Sequence, residues 1–251
     1  MDTINGIVGI AASVAGSRHL RTSRNGQDAA AVWCELGRGA IVVCDGCGSA
    51  PSSEVGARLA AKLVLAGLAA RLRSGHRPSD LAMWTAIRRD VIAHLAQLAH
   101  AMPGELATIV HDHFLFTVVA AAVAGGEVAV WAAGDGGYAV GDRACMLGPF
   151  ADNQPPYIGY ELLGELVPTP IALDVASAEC GSVLVATDGV TELGFDALDL
   201  DRAFAHPDGL RRQLSLLARS NEHIDWDNRR IVRTAARLQD DGAVAALRWC
   251  S

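Results

Sequence analysis

The chain has 251 residues, of which 51% are hydrophobic and 20% are charged, and this length suits one domain with a large core. The formal net charge of −7 argues against a nucleic-acid surface, because proteins that bind phosphate backbones usually carry a basic excess. The apolar runs are too short to span a bilayer, and the apolar stretch 7–16 lacks the preceding positive charge of a signal peptide. We therefore expect a single domain over residues 1–251, in a cytoplasmic protein that binds neither nucleic acid nor membrane.

The first part of the chain predicts antiparallel strands followed by two helices. Strands are expected over residues 8–14, 29–36 and 40–44, where apolar and β-branched residues stand between turn signals. Apolar residues at helical spacing predict one helix over 54–74 and another that begins after Asp80. Two long consecutive helices are expected to pack together on one face of the sheet.

The second part predicts a β-meander and then further helices before a last strand. The order strands, helices, strands, helices, strand is typical of a layered α+β fold and not of an alternating, doubly wound one. Residues 148–170 are rich in Pro and Gly and predict an irregular excursion over the surface. The expected strands are 114–124, 128–133, 138–140, 183–186 and 243–249, and the expected helices are 210–219 and 228–238.

Three apolar strands end in an aspartate that is followed by a glycine, at Asp45, Asp135 and Asp188. An Asp-Gly pair alone is typical of a hairpin turn, and for Asp135 this is the simpler interpretation. It is weaker for Asp45 and Asp188, because neither is followed directly by a return strand. A carboxylate at the end of a buried strand is costly to desolvate unless a cation meets it, which favours a metal ion.

Two further acidic positions stand next to expected strands. Asp28 precedes the strand over 29–36, and the pair Asp240-Asp241 precedes the last strand. Oxygen-only ligands select Mg²⁺ or Mn²⁺ over zinc. The five positions therefore predict a site for hard divalent cations.

Two other patterns leave alternatives open. Cys44-x-x-Cys47 is compatible with half of a zinc site or a redox pair, but no second pair at suitable spacing completes it, so packing in the strand and turn is preferred. His111-Asp112-His113 is an H-x-H that a metal could use on one strand face, although a polar entry into a strand is the simpler interpretation.

At this point the chain resembles the metal-dependent Ser/Thr protein phosphatases of the PP2C type, as a divergent bacterial-type branch. The resemblance covers nearly the whole chain and depends on several short motifs that occur in the family's order and approximate spacing. These motifs are Gln27-Asp28-Ala29, Val43-Cys44-Asp45-Gly46-Cys47-Gly48, Gly134-Asp135, Ala186-Thr187-Asp188-Gly189-Val190 and Asp240-Asp241.

The resemblance implies an α+β fold, the PP2C-like four-layer α/β/β/α sandwich of two antiparallel sheets flanked by helices. It also implies two Mn²⁺ or Mg²⁺ ions at one end of the sandwich and a third, weaker ion. The implied activity is hydrolysis of phosphoserine and phosphothreonine monoesters by a hydroxide that bridges the two core ions. The implied partners are phosphorylated proteins of a Ser/Thr kinase pathway.

The resemblance also suggests a role for each acidic position. Asp45 resembles the carboxylate that bridges the two ions, and the Gly46 carbonyl resembles a further ligand. Asp188 and Asp240 resemble the remaining ligands of one ion. Asp28 resembles the acidic residue that holds metal-bound water near the phosphate, so Asp28 and Asp45 are the catalytic candidates. Asp135 resembles a ligand of the additional ion.

The chain departs from the family where substrate phosphate is held. Ser23 stands at the position that usually carries an Arg, so Arg24 is the first candidate for this role and Arg21 the second. His19 is a candidate general acid if its loop covers the centre. Retention of the acidic set favours an active enzyme. The missing Arg favours the alternative, a catalytically silent module that binds a partner kinase or a phosphopeptide.

Overall fold

The computed structural model describes residues 5–151, 154–168, 171–206 and 208–250. Short 3₁₀ helices cover Ile158–Leu163, Ala178–Cys180 and Phe195–Ala197. The strands and α-helices are, in chain order, β1 (Asn5–Val14), α1 (Ser17–Thr22), β2 (Ala29–Glu35), β3 (Arg38–Cys44), α2 (Glu54–Arg73), α3 (Leu81–Ala101), α4 (Leu106–His113), β4 (Val118–Ala124), β5 (Glu127–Ala133), β6 (Gly136–Val140), β7 (Arg143–Leu147), β8 (Ile171–Ser177), β9 (Ser182–Ala186), α5 (Asp188–Thr191), α6 (Leu200–Ala205), α7 (Gly209–Leu217), β10 (Asn221–Asp225), β11 (Arg230–Thr234) and β12 (Gly242–Cys250).

The strands form two five-stranded antiparallel sheets and one separate hairpin. We name sheet 1 by its order β1-β12-β9-β6-β7 and sheet 2 by its order β2-β3-β4-β5-β8, while β10 pairs only with β11. The two sheets with helices on their outer faces confirm the predicted α+β sandwich. Within the described ranges, no helix combines the length and the hydropathy that crossing a bilayer requires.

Side chains that alternate between the two faces of a strand account for the four layers of the fold. In β3, Ile41 and Val43 join the apolar cluster between the two sheets, whereas Val42 joins the cluster beneath α2 and α3. In β12, Val244 instead belongs to the cluster that covers the outer face of sheet 1, together with Leu214 of α7. Successive side chains of a strand point to opposite faces, so strands that are apolar throughout are covered on both sides.

The helix predicted over residues 228–238 is wrong, because this segment contributes the second strand of a hairpin. β10 and β11 pair antiparallel, with Glu222 opposite Arg233 and Asp225 opposite Arg230. The Asp225 side chain also accepts a hydrogen bond from the Asn228 backbone N–H in the turn. Cross-strand pairs of opposite charge favour this arrangement, and they are visible only once the two strands are aligned.

The strand predicted over 114–124 begins later, at β4, and the preceding segment is helix α4. His111 and His113 therefore lie near the end of a helix, and the interpretation of the H-x-H as part of a strand is wrong. Residues two apart on a helix do not face each other, so the pair does not offer one ion two ligands. The His111 ring packs edge-on against Tyr160, with centroids 5.9 Å apart.

The elements α1, α4, α5, α6, β7, β8 and β10 were not predicted from the sequence. The predicted excursion over 148–170 includes residues 152, 153, 169 and 170, which lie outside the described residues. Its described part contains the 3₁₀ helix Ile158–Leu163, so it is more regular than expected. The Ile158 backbone N–H donates to the Phe116 carbonyl, 3.1 Å away, which ties this segment to the sheet end that carries the acidic residues.

Candidate metal centre

The ends of the central strands bring the predicted acidic residues to one end of the sandwich. Ala29 and Cys44 are paired in sheet 2, so Asp28, which precedes Ala29, and Asp45, which follows Cys44, leave the sheet at the same edge. On sheet 1, Gly137 pairs with Ala186, which places the segment after β9 beside the start of β6. Antiparallel pairing therefore assembles residues that are far apart in the sequence.

Asp135 lies in the connection between the two sheets and not in a hairpin turn, so the simpler interpretation of its Asp-Gly pair is wrong. β5 belongs to sheet 2 and β6 to sheet 1. The chain crosses from one to the other through Gly134 and Gly136, and both have φ +104°, a conformation that side chains rarely adopt. The two glycines therefore present the Asp135 carboxylate at the end of the sandwich.

Three carboxylates meet closely at this end. One carboxylate oxygen from each of Asp45, Asp135 and Asp188 lies within 4.8 Å of the other two. Asp135 Oδ1 is buried and has no hydrogen-bond partner among the described residues. A buried carboxylate oxygen without a donor is costly, and a divalent cation would satisfy it. The donor set therefore fits a hard ion such as Mn²⁺ or Mg²⁺.

Electrostatics supports the same conclusion. Burial raises the pKa of Asp45 well above its usual range, and the charges of Asp28, Asp188 and Asp135 raise it further. Burial, with a contribution from Asp188, raises the pKa of Asp135 to about 7. Carboxylates that repel one another in a desolvated cluster need positive charge to remain ionised together.

The Asp28 side chain is held in place by the Thr187 hydroxyl group. It is 4% exposed, and Thr187 Oγ1 donates a hydrogen bond of 2.6 Å to Asp28 Oδ2. The same hydroxyl oxygen accepts a hydrogen bond of 2.9 Å from the Ala243 backbone N–H. Burial raises the pKa of Asp28, and the hydrogen bond from Thr187 opposes this rise. The carboxylate is thus oriented before any ligand arrives.

The adjacent residues Asp240 and Asp241 have different surroundings. Asp241 is 4% exposed, and its carboxylate accepts hydrogen bonds from the backbone N–H groups of Gly16 and Gln27 at 2.8 and 2.6 Å. His19 Nδ1 also lies 2.8 Å from Asp241 Oδ2. Asp241 therefore fastens the chain segments around α1, whereas the Asp240 side chain is 47% exposed, with Oδ1 accepting a hydrogen bond from the Asp241 N–H and Oδ2 facing Arg18.

Two glycines allow the Asp240-Asp241 turn to approach its neighbours. A Cβ atom at Gly189 would lie 2.0 Å from the Asp241 carbonyl oxygen, and a Cβ atom at Gly16 would lie 2.0 Å from the Asp240 carbonyl oxygen. Neither contact is possible for a larger residue without a backbone shift. The glycine after Asp188 is thus required by close packing, since Asp188 begins α5 instead of a hairpin turn.

Three arginines near the acidic cluster, Arg18, Arg21 and Arg24, contact different partners. Arg24 Nη2 donates to the Ala50 carbonyl at 2.8 Å, and Arg21 Nε donates to the Ser17 carbonyl at 3.2 Å. Arg18 Nη1 lies 3.4 Å from Asp240 Oδ2, and its side chain is 61% exposed. Sequence reasoning did not select Arg18, because α1 was not predicted and only the helix turns this residue toward Asp240.

The two cysteines of the C-x-x-C follow the preferred interpretation. Cys44 is fully buried in β3, Cys47 is buried in the turn after Gly46, and both are free thiols. Cys47 Sγ lies 3.2 Å from Ser49 Oγ. Their positions are those of packed side chains within the strand and its turn.

Residues 15–228 match the model of the protein phosphatase 2C family, and the chain belongs to that family. Similar solved structures include PppA, a regulatory component of a type VI secretion system in Pseudomonas aeruginosa, with 17% identity, TM-score 0.59, and coverage of 99% of this chain and 100% of PppA. Stp1 from Staphylococcus aureus has 15% identity, TM-score 0.55, and coverage of 100% and 98%.

The catalytic domain of the serine/threonine phosphatase PstP, solved with two manganese ions, has 15% identity, TM-score 0.54, and coverage of 98% of this chain and 99% of that one. At these identities the likeness establishes the fold. A search of curated proteins by sequence gave no significant match.

Proposed function

We propose that the chain is a metal-dependent phosphoprotein phosphatase that hydrolyses phosphoserine and phosphothreonine monoesters. The observation that carries the proposal is the meeting of Asp45, Asp135 and Asp188, with carboxylate oxygens within 4.8 Å of one another, in a chain of the protein phosphatase 2C family. The two manganese ions of the PstP structure support Mn²⁺ or Mg²⁺ as the cofactor here.

The residues divide into metal ligands and a water-orienting carboxylate. Asp45, the Gly46 carbonyl, Asp188 and Asp240 would hold the two core ions, and Asp135 would hold an additional ion. When bound, such ions lower the pKa of a water molecule and neutralise charge on the phosphoryl oxygens. Asp28, fixed by Thr187, accepts a hydrogen bond from the attacking water and aligns it with the phosphorus atom.

Substrate phosphate needs positive charge from the protein as well, and a guanidinium can bind two phosphate oxygens at once. Arg18 supplies it most directly, because its guanidinium already contacts Asp240 and is largely exposed. Arg24 and Arg21 remain candidates that would have to release the carbonyl groups of Ala50 and Ser17.

Departure of the alcohol needs a proton, and His19 is the candidate donor. Its Nδ1 faces Asp241, so only Nε2 is left to reach the leaving group. A general acid matters most for poor leaving groups. His19→Gln should therefore slow hydrolysis of phenyl phosphate more than that of p-nitrophenyl phosphate, whereas equal losses would assign His19 a positioning role through Asp241.

The physiological substrates would be phosphorylated proteins that a Ser/Thr kinase produces. The test is hydrolysis of p-nitrophenyl phosphate and of a phosphothreonine peptide with added Mn²⁺ or Mg²⁺, with chelated enzyme and Asp45→Asn as controls. Activity that requires the added ion and Asp45 supports the proposal. Binding of the phosphopeptide without hydrolysis at any metal concentration would instead support the silent module.

A further inference from the structure

A groove of about 700 Å³ opens beside the metal centre. One wall is the face of α1 that carries Ser17 and Arg21, and the other is the base of the β10–β11 hairpin with the residues just after α7. Gln239 also lines the groove, and it directly precedes Asp240. The groove therefore begins one residue from a proposed metal ligand.

The groove is basic although the chain is acidic overall. Among the described residues that line it, Arg21, Arg219 and Arg233 are cationic and Glu222 is the one acidic residue. Glu222 pairs with Arg233, with Nε and Oε1 2.6 Å apart, which leaves the charges of Arg21 and Arg219 without an opposite partner inside the groove. The chain as a whole carries a net charge of −7, so attraction of an anionic ligand has to come from a local excess of this kind.

The hairpin continues from the groove, and one of its faces carries exposed apolar side chains. Side chains two apart on a strand share a face, so Ile224 follows Glu222 and Ile231 precedes Arg233 on one side of the hairpin, where the two isoleucines are directly paired. They are 52% and 62% exposed, and Trp226 at the turn is 79% exposed. A small anion would use only the groove, whereas a polypeptide would cover the groove and this apolar end together.

We propose that the groove binds an acidic segment of the phosphoprotein substrate, adjacent in sequence to the phosphorylated residue. The proposal rests on the phosphatase function proposed above, and it concerns which substrates that site selects. With Arg18 as the ligand of the substrate phosphate, carboxylates of the segment pair with Arg219 and Arg21, and its continuation packs on the apolar end of the hairpin. The occupant is thus a phosphoprotein with acidic residues on one side of its phosphoserine or phosphothreonine.

The geometry sets an approximate spacing for the acidic residues. The Leu217 carbonyl accepts a hydrogen bond from the Leu238 N–H, and Arg219 and Asp240 each stand two residues further along the chain, so they lie roughly 10–17 Å apart. An extended peptide advances about 3.3 Å per residue. With the phosphate beside Arg18 and Asp240, the carboxylates that meet Arg219 should stand about three to five residues from the phosphorylated residue.

The experiment compares phosphothreonine peptides that differ only in a block of three Asp, Asn or Lys residues, placed three to five positions before or after the phosphothreonine. The kcat/KM of the Mn²⁺-loaded enzyme should be roughly fivefold higher for Asp than for Asn on one of the two sides, and lowest for Lys. The preference should weaken as salt rises, since exposed charges are screened. If the Asp, Asn and Lys blocks give equal kcat/KM values, both before and after the phosphothreonine, the proposal is overturned.

Reversing the charge of Arg219 tests whether this residue causes the preference for acidic peptides. Arg219→Glu should abolish the advantage of the Asp block and make the Lys block the better substrate, an outcome that loss of folding cannot imitate. The matched control is Arg89→Glu on α3, because Arg89 is also exposed, at 77%, and lies outside the groove. An Asp preference that survives Arg219→Glu, or that Arg89→Glu removes equally, would contradict the proposal.

A binding measurement separates this proposal from the proposed function. Fluorescence anisotropy of the same labelled peptides, with the metal-free protein, reports the groove without catalysis. One outcome is that no peptide is hydrolysed, the Asp peptide binds most tightly, and Arg219→Glu reverses the order of peptide affinities. In that case the groove assignment is supported and the phosphatase function is wrong. If all peptides are hydrolysed equally, the function stands and the groove assignment fails.

Discussion

Thr187 Oγ1 donates a hydrogen bond of 2.6 Å to Asp28 Oδ2, although Thr187 follows a strand of sheet 1 and Asp28 precedes a strand of sheet 2. The bond therefore joins the two sheets at the end where the acidic residues meet. Because both groups are buried, at 2% and 4% exposure, neither can exchange its partner for bulk water. The position of the proposed water-orienting carboxylate thus depends on the packing of one sheet against the other.

Thr187→Val should destabilise the protein and reduce turnover. The variant removes the donor to Asp28 and the acceptor of the Ala243 N–H, and unsatisfied buried groups cost about 1–3 kcal/mol each. Thr187→Ser keeps the hydroxyl and is the matched control. Urea denaturation and kcat on p-nitrophenyl phosphate measure the two effects. Equal behaviour of the Val and Ser variants would show that the hydroxyl is dispensable.

Asp45→Asn should lower Mn²⁺ affinity and kcat together, since Asp45, if it holds both proposed core ions, would contribute its charge to each of them. Isothermal titration with Mn²⁺ and a metal-activation curve for p-nitrophenyl phosphate hydrolysis check this. Asp142→Asn is the control, because Asp142 is exposed in the β6–β7 turn at the opposite end of β6. An unchanged titration for Asp45→Asn would be incompatible with the bridging role.

Metal-free protein should become less stable as pH rises from about 4 to about 7. Asp135 has a pKa of about 7 in the folded chain and about 3.9 when unfolded, and the pKa values of Asp28, Asp45 and Asp188 are also raised. Within that window the folded state binds more protons, so stability falls with increasing pH. Scanning calorimetry across the window should show a decreasing Tm.

Mn²⁺ should reverse this trend, because deprotonated carboxylates bind the ion more strongly. The rise in Tm on adding Mn²⁺ should be larger at about pH 7.5 than at about pH 5.5. Asp135→Asn in the metal-free state should flatten the pH dependence. A metal-free Tm that increases over the window would contradict the assignment of a repulsive carboxylate cluster.

Arg18→Ala should weaken competitive inhibition by inorganic phosphate and raise KM for p-nitrophenyl phosphate by about tenfold, as expected for loss of a charge-assisted contact. Mn²⁺ affinity should not fall, because the substitution removes a competing cation from beside Asp240. Arg24→Ala and Arg21→Ala test the two candidates chosen from the sequence in the same assay. If Arg24→Ala alone weakens inhibition by phosphate, the clamp is Arg24 and the contact between Arg18 and Asp240 has another purpose.

Gly189→Ala should destabilise the protein by about 1–3 kcal/mol and reduce Mn²⁺ affinity. The added Cβ would lie 2.0 Å from the Asp241 carbonyl oxygen, so the turn that carries Asp240 must move away from Asp188. Gly48→Ala is the control, because a Cβ there meets nothing within 4 Å. Wild-type thermal stability for Gly189→Ala would mean that this close approach is not required.

Local patterns in the sequence were sufficient for most of the sandwich and for the acidic residues of the site. The strands that carry Asp45, Asp135 and Asp188 are short apolar runs, and a carboxylate after such a run needs a partner wherever the strand lies. The two long helices were predicted for the same reason, since helical periodicity is a local property.

Only the tertiary structure distinguishes the surroundings of Asp240 from those of its neighbour Asp241. Asp240 and Asp241 look alike in the sequence, and they differ because the partners of Asp241 are Gly16, His19 and Gln27, more than 200 positions away. The hairpin of β10 and β11 likewise depends on cross-strand charge pairs, so a segment with weak intrinsic preference was misassigned as a helix. Long-range partners provide the free energy in both cases, and no local window of sequence contains them.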